Sequence, residues 1–418
     1  MKRALSLLPH LPRMRLYCSG FRSFSSNLAT SICKQIKYSG PISVAQYMKE
    51  VLTTPHAGYY VHKDMLGRQG DFITSPELNQ MFGELIAIWF INEWSALGSP
   101  KSFRFVELGP GRGSLADDIL KQFKHFEQIF KDVDMSFHFV EISKRLSNIQ
   151  YETLCDGNLM DYLDEDNSEY YLQGSAKRNN VPLHWHRHIE NVPRDKFTFY
   201  LAHEFFDALP VHKFVKSSKG WRELYVDVTP ESNDELSLVQ LQEETVASKT
   251  LIRNHETRSH VEVCPEGRTI ISSIAKQIEK NGGAGLIIDY GHTGEKEDTL
   301  RSFKDHKLND IFDNIGDADL TADVDFRFLL DNIESIDIQK SGPITQKEFL
   351  TNMGIELRLM ILLQHCKDSA EKKKLTDSYK IMMDEKEMGE RFKVLALSSK
   401  TRQTDSPITG FFSLTQNS

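Results

Sequence analysis

Short apolar runs that end in a polar residue alternate along this chain with longer segments in which apolar residues recur at helical spacing. The short runs have the length of buried strands. They cover residues 103–107, 137–141, 197–203 and 285–289. Isoleucines between 270 and 278 fall on one helical face, which predicts a helix before the last run. Strands that alternate with helices predict an α/β fold with a doubly wound, mostly parallel sheet.

The segments on either side of this core have patterns of their own. Ser43 precedes a short stretch of helical periodicity and is predicted to cap a helix. Ser75 and Pro76 are predicted to begin a long amphipathic helix that extends to Trp94. Near the end of the chain, the apolar run 392–397 predicts a strand that returns to the sheet.

These patterns divide the chain into three expected parts. A leader occupies residues 1–39, a helical and loop region that packs on the core occupies 40–100, and the α/β domain occupies 101–412. The α/β domain is expected to contain insertions, because its strand and helix patterns are interrupted by segments without them. The insertions are placed near residues 158–180, 215–260 and 295–330.

The first 39 residues differ in composition from the rest of the chain. They contain seven Lys or Arg residues and no acidic residue, and they are rich in Ser and Leu. This is the composition of a mitochondrial transit peptide, with a processing site predicted at residues 22–25. The longest apolar run, 85–91, is too short to cross a bilayer. We therefore expect a mitochondrial protein without an integral membrane segment.

Charge and cysteine content exclude several classes of function. The chain has 51 Lys and Arg residues against 59 Asp and Glu residues, and 44 against 59 without its first 39 residues. An acidic protein of this kind lacks the electrostatic footprint of nucleic-acid binding. It suits a basic partner such as an arginine-bearing peptide, although solubility alone also accounts for the charge. The five cysteines include no C-x-x-C pair, which argues against structural zinc and dithiol chemistry.

A glycine-rich turn follows the first predicted core strand. Glu107 ends the apolar run, and Gly109, Gly111 and Gly113 allow the backbone to approach a ligand closely. A helix predicted from Ser114 onward would direct its N-terminal N–H groups toward the same space.

The spacing of the glycines discriminates between ligands. No Gly-Lys-Ser/Thr follows, which excludes a phosphate-binding P-loop. The dinucleotide pattern G-x-G-x-x-G is disfavoured but stays open, because Ser114 occupies the third position in one register and Ala116 in the other. The pattern acid-x-Gly-x-Gly-x-Gly resembles the first motif of class I S-adenosylmethionine (SAM) methyltransferases, in which this turn wraps the methionine end of the cofactor.

A second acidic residue supports a nucleoside ligand. Glu141 ends the next predicted strand, where a carboxylate could accept hydrogen bonds from both hydroxyl groups of a ribose. The alternative is an ordinary solvated acid at the end of a strand. Together with the glycine turn, the position favours the ribose role.

The segment that follows the strand at 197–203 is the candidate for chemistry. Glu204 and Asp207 are three residues apart, so they share a face if the segment is helical. Two carboxylates flanked by Phe205 and Phe206 suit a planar guanidinium, which binds carboxylates and stacks on aromatic rings. The alternative is that Glu204 caps a helix and Asp207 forms a structural ion pair. The segment 289–292 ends another strand and is a second candidate wall of the substrate site.

Several of these motifs occur in the same order in one known family. They lie at residues 72–77, 107–113, 204–210, 288–291 and 342–346. With the N-terminal leader they make the chain resemble the MidA-like mitochondrial methyltransferases that act as complex I assembly factors. The resemblance implies a class I SAM methyltransferase fold, a mitochondrial matrix location, and symmetric dimethylation of an arginine on a core complex I subunit.

The resemblance also implies roles for individual residues. Cofactor-binding roles are implied for Glu107, Gly109, Gly111, Gly113, Glu141, Asp71 and Thr74. Glu204 and Asp207 are the implied catalytic residues that bind the arginine. One departure is His203, where the family often has Asn, and it implies altered hydrogen bonding.

Three hypotheses of function stay open from the sequence. The first is a SAM-dependent protein arginine methyltransferase, the second a non-catalytic assembly chaperone that retains the fold, and the third an NAD(P)-dependent enzyme. The glycine turn, Glu141 and Glu204 favour the first. The sequence gives neither the methylation product nor the oligomeric state.

Overall fold

The computed structural model describes residues 25–62, 75–156, 170–230, 232, 234–253, 255–404 and 406–412. In this part of the chain the helices α1–α14 are Ser25–Ser39, Val44–Thr53, Tyr59–His62, Ser75–Leu78, Gln80–Ala96, Ser114–His125, Lys144–Leu154, Val246–Thr250, Pro265–Asn281, Phe326–Asp331, Gln346–Asn352, Ile355–His365, Ser369–Met383 and Met388–Arg391. The strands β1–β17 are Ile42–Ser43, Ser102–Leu108, Asp134–Val140, Leu172–Ser175, Pro182–His186, Thr198–His203, His212–Ser217, Gly220–Val228, Leu236–Gln240, His260–Val263, Gly283–His292, Arg301–Lys304, Lys307–Asn309, Asp319–Thr321, Val324–Asp325, Gln339–Thr345 and Phe392–Ser398.

The main sheet has the strand order β16-β17-β11-β6-β2-β3-β5-β4, with β15 beside the end of β11. Strands β11, β6, β2, β3 and β5 are parallel to one another, whereas the pairs β11–β17, β17–β16 and β5–β4 are antiparallel. The predicted mostly parallel sheet is therefore confirmed. Its parallel strands bring their carboxyl ends to one edge, where ligands of open α/β folds bind.

Side chains that alternate along β2 contribute to two different cores. Phe103 and Phe105 pack in a core that includes residues of α5 and α6. Val106 and Leu108 pack on the opposite face with residues of α9 and α10. Because helices cover both faces, the sheet is doubly wound as predicted.

The helix predicted to run from Ser75 to Trp94 is two helices. α4 ends at Leu78, and the side chain of Asn79 caps α5 by accepting a hydrogen bond from the backbone N–H of Met81 at 2.9 Å. The prediction that this segment is amphipathic was wrong, because α5 is buried on nearly all sides. Part of its surface is covered by α12 and by the C-terminal segment, which the local pattern does not reveal.

The N-terminal helices pack on a smaller antiparallel sheet. This sheet has the order β1-β8-β7-β10, with β9 beside β8. In α1, Leu28, Ile32 and Ile36 are buried in a core shared with α2 and Val226 of β8. Residues 25–39 therefore belong both to the predicted leader at 1–39 and to the folded body. Ser43 caps α2, as the sequence predicts.

All three expected insertions take part in sheets, and the segment 215–260 contributes β8 and β9 to the smaller antiparallel sheet. β4 lies within the segment 158–180 and forms an edge of the main sheet, while residues 157–169 lie outside the described part of the chain. Within 295–330, strands β12, β13 and β14 form a three-stranded sheet that lies beside the carboxyl edge of the main sheet. No helix in the described residues is both long and apolar enough to span a bilayer.

Candidate active site

Three glycines form the turn between β2 and α6 at the carboxyl edge of the sheet. Gly109, Gly111 and Gly113 have φ angles of 64°, 55° and 82°. These left-handed conformations strain any residue that carries a Cβ atom. A Cβ atom at position 109 would also lie 2.9 Å from the ring of Phe205. Glycine at this position keeps the turn close to the segment that follows β6.

Glu107 precedes this turn and is buried at the carboxyl end of β2. Its Oε2 atom has no hydrogen-bond partner among the described residues. Burial raises the pKa of the Glu107 carboxyl to about 8. A buried carboxylate is stable only when a donor or a cation compensates for its lost hydration. A cationic ligand would supply this compensation for Glu107.

Glu141 lies at the end of β3 and is held by a network of hydrogen bonds. Its Oε1 atom accepts a hydrogen bond from the Ser143 N–H at 2.7 Å, and its Oε2 atom accepts one from Gln150 Nε2 at 3.0 Å. Gln150 Nε2 also donates to the carbonyl oxygen of Gly111 at 2.7 Å, and Gln150 Oε1 accepts from the Trp185 indole. Burial raises the pKa of Glu141 to about 7. Gln150 thus connects the glycine turn to the predicted ribose-binding carboxylate.

The segment after β6 turns sharply and holds the candidate catalytic carboxylates. Glu204 has a φ of 51°, which is unusual for a residue other than glycine, and its N–H donates to the carbonyl of Ile288 at 3.0 Å. A short 3₁₀ helix, Phe206–Ala208, follows in place of an α-helical turn. Such local strain is typical of functional sites.

Asp207 is buried beside the insertion that contains β14. Its Oδ2 atom accepts a hydrogen bond from the Thr321 hydroxyl at 2.8 Å, and its Oδ1 atom has no partner among the described residues. Burial raises the pKa of Asp207 to about 6, while Thr321 and the positive charge of Arg301 act in the opposite direction. Asp207 therefore keeps one acceptor available for a ligand.

One cavity of about 750 Å³ connects these groups. Its walls include the glycine turn together with Glu107, Glu141, Glu204 and Asp207. Tyr290 from the end of β11 also lines it. The volume lies within the usual range for cofactor and small-ligand sites. Both predicted catalytic residues thus line the same cavity. The described residues that were predicted to bind the cofactor line this cavity or lie next to it.

The cavity has a further acidic wall that the sequence did not indicate. Asp319 of β14 lines it and accepts a hydrogen bond from the hydroxyl of Tyr60 at 3.1 Å. Tyr60 belongs to α3, 259 residues away in the chain. No local motif could have identified this contact, because it depends on the placement of an N-terminal helix against an insertion.

Comparison with known proteins identifies the chemistry of this site. Residues 85–344 match a sequence family described as S-adenosyl-L-methionine-dependent methyltransferases. The chain belongs to this family. A Xenopus tropicalis protein is 47% identical over 94% of this chain and 91% of its own length, and a human protein is 46% identical over 94% and 89%. Both are named protein arginine methyltransferase NDUFAF7, mitochondrial.

A solved structure shows the same fold. A protein of Burkholderia thailandensis in complex with S-adenosylhomocysteine (SAH) has a TM-score of 0.73 and 23% identity, over 93% of this chain and 95% of its own. The predicted class I SAM methyltransferase fold is confirmed, and SAM is the cofactor of this family.

The chain's own residues fit this cofactor. The buried Oε2 atom of Glu107 suits a ligand that carries both an ammonium and a sulfonium group. Gly109 and Gly111 line the cavity in left-handed conformations, so a ligand there would meet backbone that carries no Cβ atom. Asp71 and Thr74, which were also predicted to bind the methyltransferase cofactor, lie outside the described residues.

His203 lies next to the candidate catalytic carboxylates but is packed in an apolar environment. Its ring lies 5.0 Å from that of Phe82 and 6.2 Å from that of Phe392, between ring centroids. Burial lowers the pKa of His203 to about 3, so the imidazole is neutral. The distance of 3.4 Å between its Nε2 atom and Glu204 Oε1 is therefore not an ion pair. The neutral ring packs against these two aromatic rings and also lines the cavity.

Proposed function

We propose that this chain is a mitochondrial protein arginine methyltransferase that forms symmetric dimethylarginine on a core subunit of complex I. The observation that carries the proposal is the cavity that the glycine turn shares with the carboxylates of Glu204 and Asp207. The names of the relatives support an arginine substrate and a mitochondrial location. The complex I substrate and the symmetric product follow from the resemblance to the MidA-like assembly factors.

The cofactor half of the cavity is assigned to five residues. Glu107 would face the positively charged part of SAM, the turn through Gly109, Gly111 and Gly113 would follow its methionine end, and Glu141 would accept hydrogen bonds from the ribose hydroxyls. When bound, SAM would supply a methyl group that is attached to a sulfonium sulfur. After transfer, the rest of the cofactor would leave as a neutral thioether. The protein's contribution is to hold the acceptor nitrogen in line with that methyl group.

The substrate half of the cavity has to activate a poor nucleophile. A guanidinium group has a pKa above 12, and its charge is spread over three nitrogens. Glu204 and Asp207 would each accept N–H hydrogen bonds, which concentrates positive charge on the nitrogens they contact and leaves another more electron-rich. That nitrogen forms the new N–CH₃ bond and then loses its proton to a neighbouring carboxylate or to water.

Methyl transfer can be tested on individual substrates. Recombinant core complex I subunits are each incubated with the protein and SAM that carries a labelled methyl group, and the products are analysed by mass spectrometry. We expect labelled dimethylarginine at one site in one subunit. Label on lysine, or on none of the subunits, would contradict the proposal.

Glu204→Gln tests the catalytic assignment. We expect turnover to fall at least about 100-fold while calorimetric affinity for SAH stays unchanged, because the charge that orients the guanidinium is lost but the cofactor half is intact. Glu93→Gln is the control, since Glu93 is a buried carboxylate that lies outside the cavity. Equal turnover in both variants would return Glu204 to a structural role.

Cofactor binding separates the remaining hypotheses. A protein that binds neither SAM nor SAH in calorimetry would be a non-catalytic assembly chaperone, and a thermal shift with NAD(P) but not with SAH would indicate an oxidoreductase. We expect a shift with SAH alone.

The location is tested with the N-terminal segment. A fluorescent protein fused to residues 1–40 is expected to enter the mitochondrial matrix, because the basic residues of this segment are not balanced by any acid. A fusion that stays in the cytosol contradicts this assignment.

A further inference from the structure

Asp289 lies one residue beyond the last paired position between β11 and β6. Its side chain is completely buried and does not line the cavity. The Oδ2 atom accepts hydrogen bonds from three consecutive backbone N–H groups, those of Phe205 at 3.1 Å, Phe206 at 2.8 Å and Asp207 at 3.4 Å. The Oδ1 atom accepts one from the N–H of Tyr290 at 3.0 Å.

These three N–H groups follow directly after the strained Glu204. The last sheet-type hydrogen bond of this segment runs from the Glu204 N–H to the carbonyl of Ile288. Beyond it the backbone turns, and its next three donors converge on one point. Successive N–H groups that converge in this way form a nest, which binds an anion. The carboxylate of Asp289 fills this nest.

The arrangement explains how a left-handed glutamate persists in a buried site. A non-glycine residue with φ of 51° is maintained only when its surroundings over-determine the conformation. Without an acceptor for the three donors, the turn would leave buried N–H groups unsatisfied. Asp289 therefore stabilises the one backbone path that directs Glu204 and Asp207 into the same cavity.

Other acidic groups near Asp289 show that the position has an electrostatic cost. Burial raises the pKa of Asp289 well above its ordinary value, and the charges of Asp207 and Glu204 raise it further, while the backbone donors counteract these effects. Placing a third carboxyl group beside two others is unfavourable unless it has a specific use. The three backbone hydrogen bonds supply that use.

We propose that Asp289 is a positioning residue for methyl transfer, which fixes the backbone of residues 204–207 and so aims the two catalytic carboxylates. The proposal rests on the proposed function of Glu204 and Asp207. Asp289 does not contact the substrate in this assignment, and it acts only through the backbone of the turn.

The test compares Asp289→Ala, Asp289→Asn and the control Glu93→Gln in the full chain. Glu93 is also completely buried and also accepts a backbone hydrogen bond, from Thr409 at 3.0 Å. We expect Asp289→Ala to lower kcat on the methylated complex I subunit about 100-fold, because displacement of catalytic groups by an ångström has effects of this size. Calorimetric affinity for SAH should change less than about threefold, since the cofactor half does not depend on this turn.

Asp289→Asn should restore part of the lost kcat, because its amide oxygen can still accept the three N–H groups, whereas its NH2 group would face the N–H of Tyr290. If the alanine variant does not fold, kcat can still be measured on the asparagine variant. Glu93→Gln should lower the melting temperature and leave kcat unchanged. An alanine variant with wild-type kcat, or equal losses of kcat in Asp289→Ala and Glu93→Gln, would overturn the proposal.

A structural measurement separates this proposal from the proposed function. In a crystal structure of Asp289→Ala with SAH, residue 204 is expected to leave the left-handed region. If it keeps a positive φ, the positioning role is refuted even if the wild-type protein methylates its substrate. If the wild-type protein transfers no methyl group but residue 204 relaxes, the proposed function fails and the control of the turn by Asp289 stands.

Discussion

Glu107 and Glu141 are carboxyl groups whose charge depends on what occupies the cavity. Burial raises their pKa values to about 8 and about 7, from an ordinary value of 4.5. A group with a raised pKa in the folded state contributes stability that is complete below its unfolded pKa and is lost as pH rises through the folded pKa. These two residues therefore make the ligand-free protein less stable as the pH rises toward 8.

We expect the melting temperature of the ligand-free protein to fall between pH 7 and pH 8.5. Buried His138 and His203 have lowered pKa values, so their opposing effect lies mainly below this window. Glu107→Gln should flatten the decline, and scanning fluorimetry over the pH series measures it. SAM should bind more tightly as pH rises, because a cation favours the ionised carboxylate. If the melting temperatures of the unchanged protein and of Glu107→Gln fall equally with pH, the raised pKa assigned to Glu107 is contradicted.

Gly109 is the glycine at which a side chain would meet the protein itself. We expect Gly109→Ala to weaken SAH binding at least about tenfold, because the new Cβ atom combines a left-handed backbone with a contact of 2.9 Å to Phe205. Gly354→Ala is the matched control. Gly354 has a φ of 83° and no atom within 4 Å of an added Cβ, so its change should cost about 1 kcal/mol of stability and no affinity.

At the scale of elements, α7 is the helix that organises the proposed cofactor half of the cavity. Its N-cap, Ser143, donates its N–H to Glu141, and its Gln150 reaches Glu141, Gly111 and the indole of Trp185. Through these hydrogen bonds, α7 connects the glycine turn to β3 and β5.

Gln150→Leu is expected to weaken SAM binding about tenfold or more. The substitution leaves the Trp185 N–H without its partner, and an unsatisfied buried donor costs about 1–3 kcal/mol. Gln346→Leu is the control. Gln346 is equally buried, and its side chain donates a hydrogen bond to the carbonyl of Met382, 36 residues later in the chain. Calorimetry that finds the same loss of affinity in both variants would show that only general destabilisation was measured.

The elements that the sequence predicted well are those defined by local patterns. The strands at 103–107 and 285–289 are apolar runs of the right length, and both lie in the main sheet. The break at Asn79 was missed because an asparagine within an apolar stretch is a weak signal, although its side chain caps α5. The burial of α5 on nearly all sides depends on distant helices, which periodicity cannot report.

At the scale of the whole molecule, three regions build the proposed substrate half of the cavity. Tyr60 comes from α3, Asp207 follows β6, and Asp319 and Thr321 come from an insertion. The sequence identified Glu204 and Asp207, because they follow a strand of the main sheet. It could not identify the others, because their contacts join residues 114 and 259 positions apart.

The start of the folded body is predicted to be α1. A chain that begins at Ser25 retains α1 and is the reference. A chain that begins at Gly40 should be less stable, because Leu28, Ile32 and Ile36 each bury a side chain worth about 1.5–3 kcal/mol. Equal denaturant midpoints for the two truncated chains would show that α1 adds nothing to the body.

The strand β17, at residues 392–398, lies between β16 and β11 rather than at the margin of its sheet. During synthesis, or during passage of the chain through a translocation channel with its N-terminus first, all other strands of the described residues are available before β17. Until β17 arrives, the adjoining edge of the hydrophobic strand β11 has no partner on that side, and an unpaired edge of this kind promotes aggregation. A chain that stops shortly before residue 392 would therefore hold almost all of its site residues and still depend on chaperones, because it lacks the strand that closes the sheet.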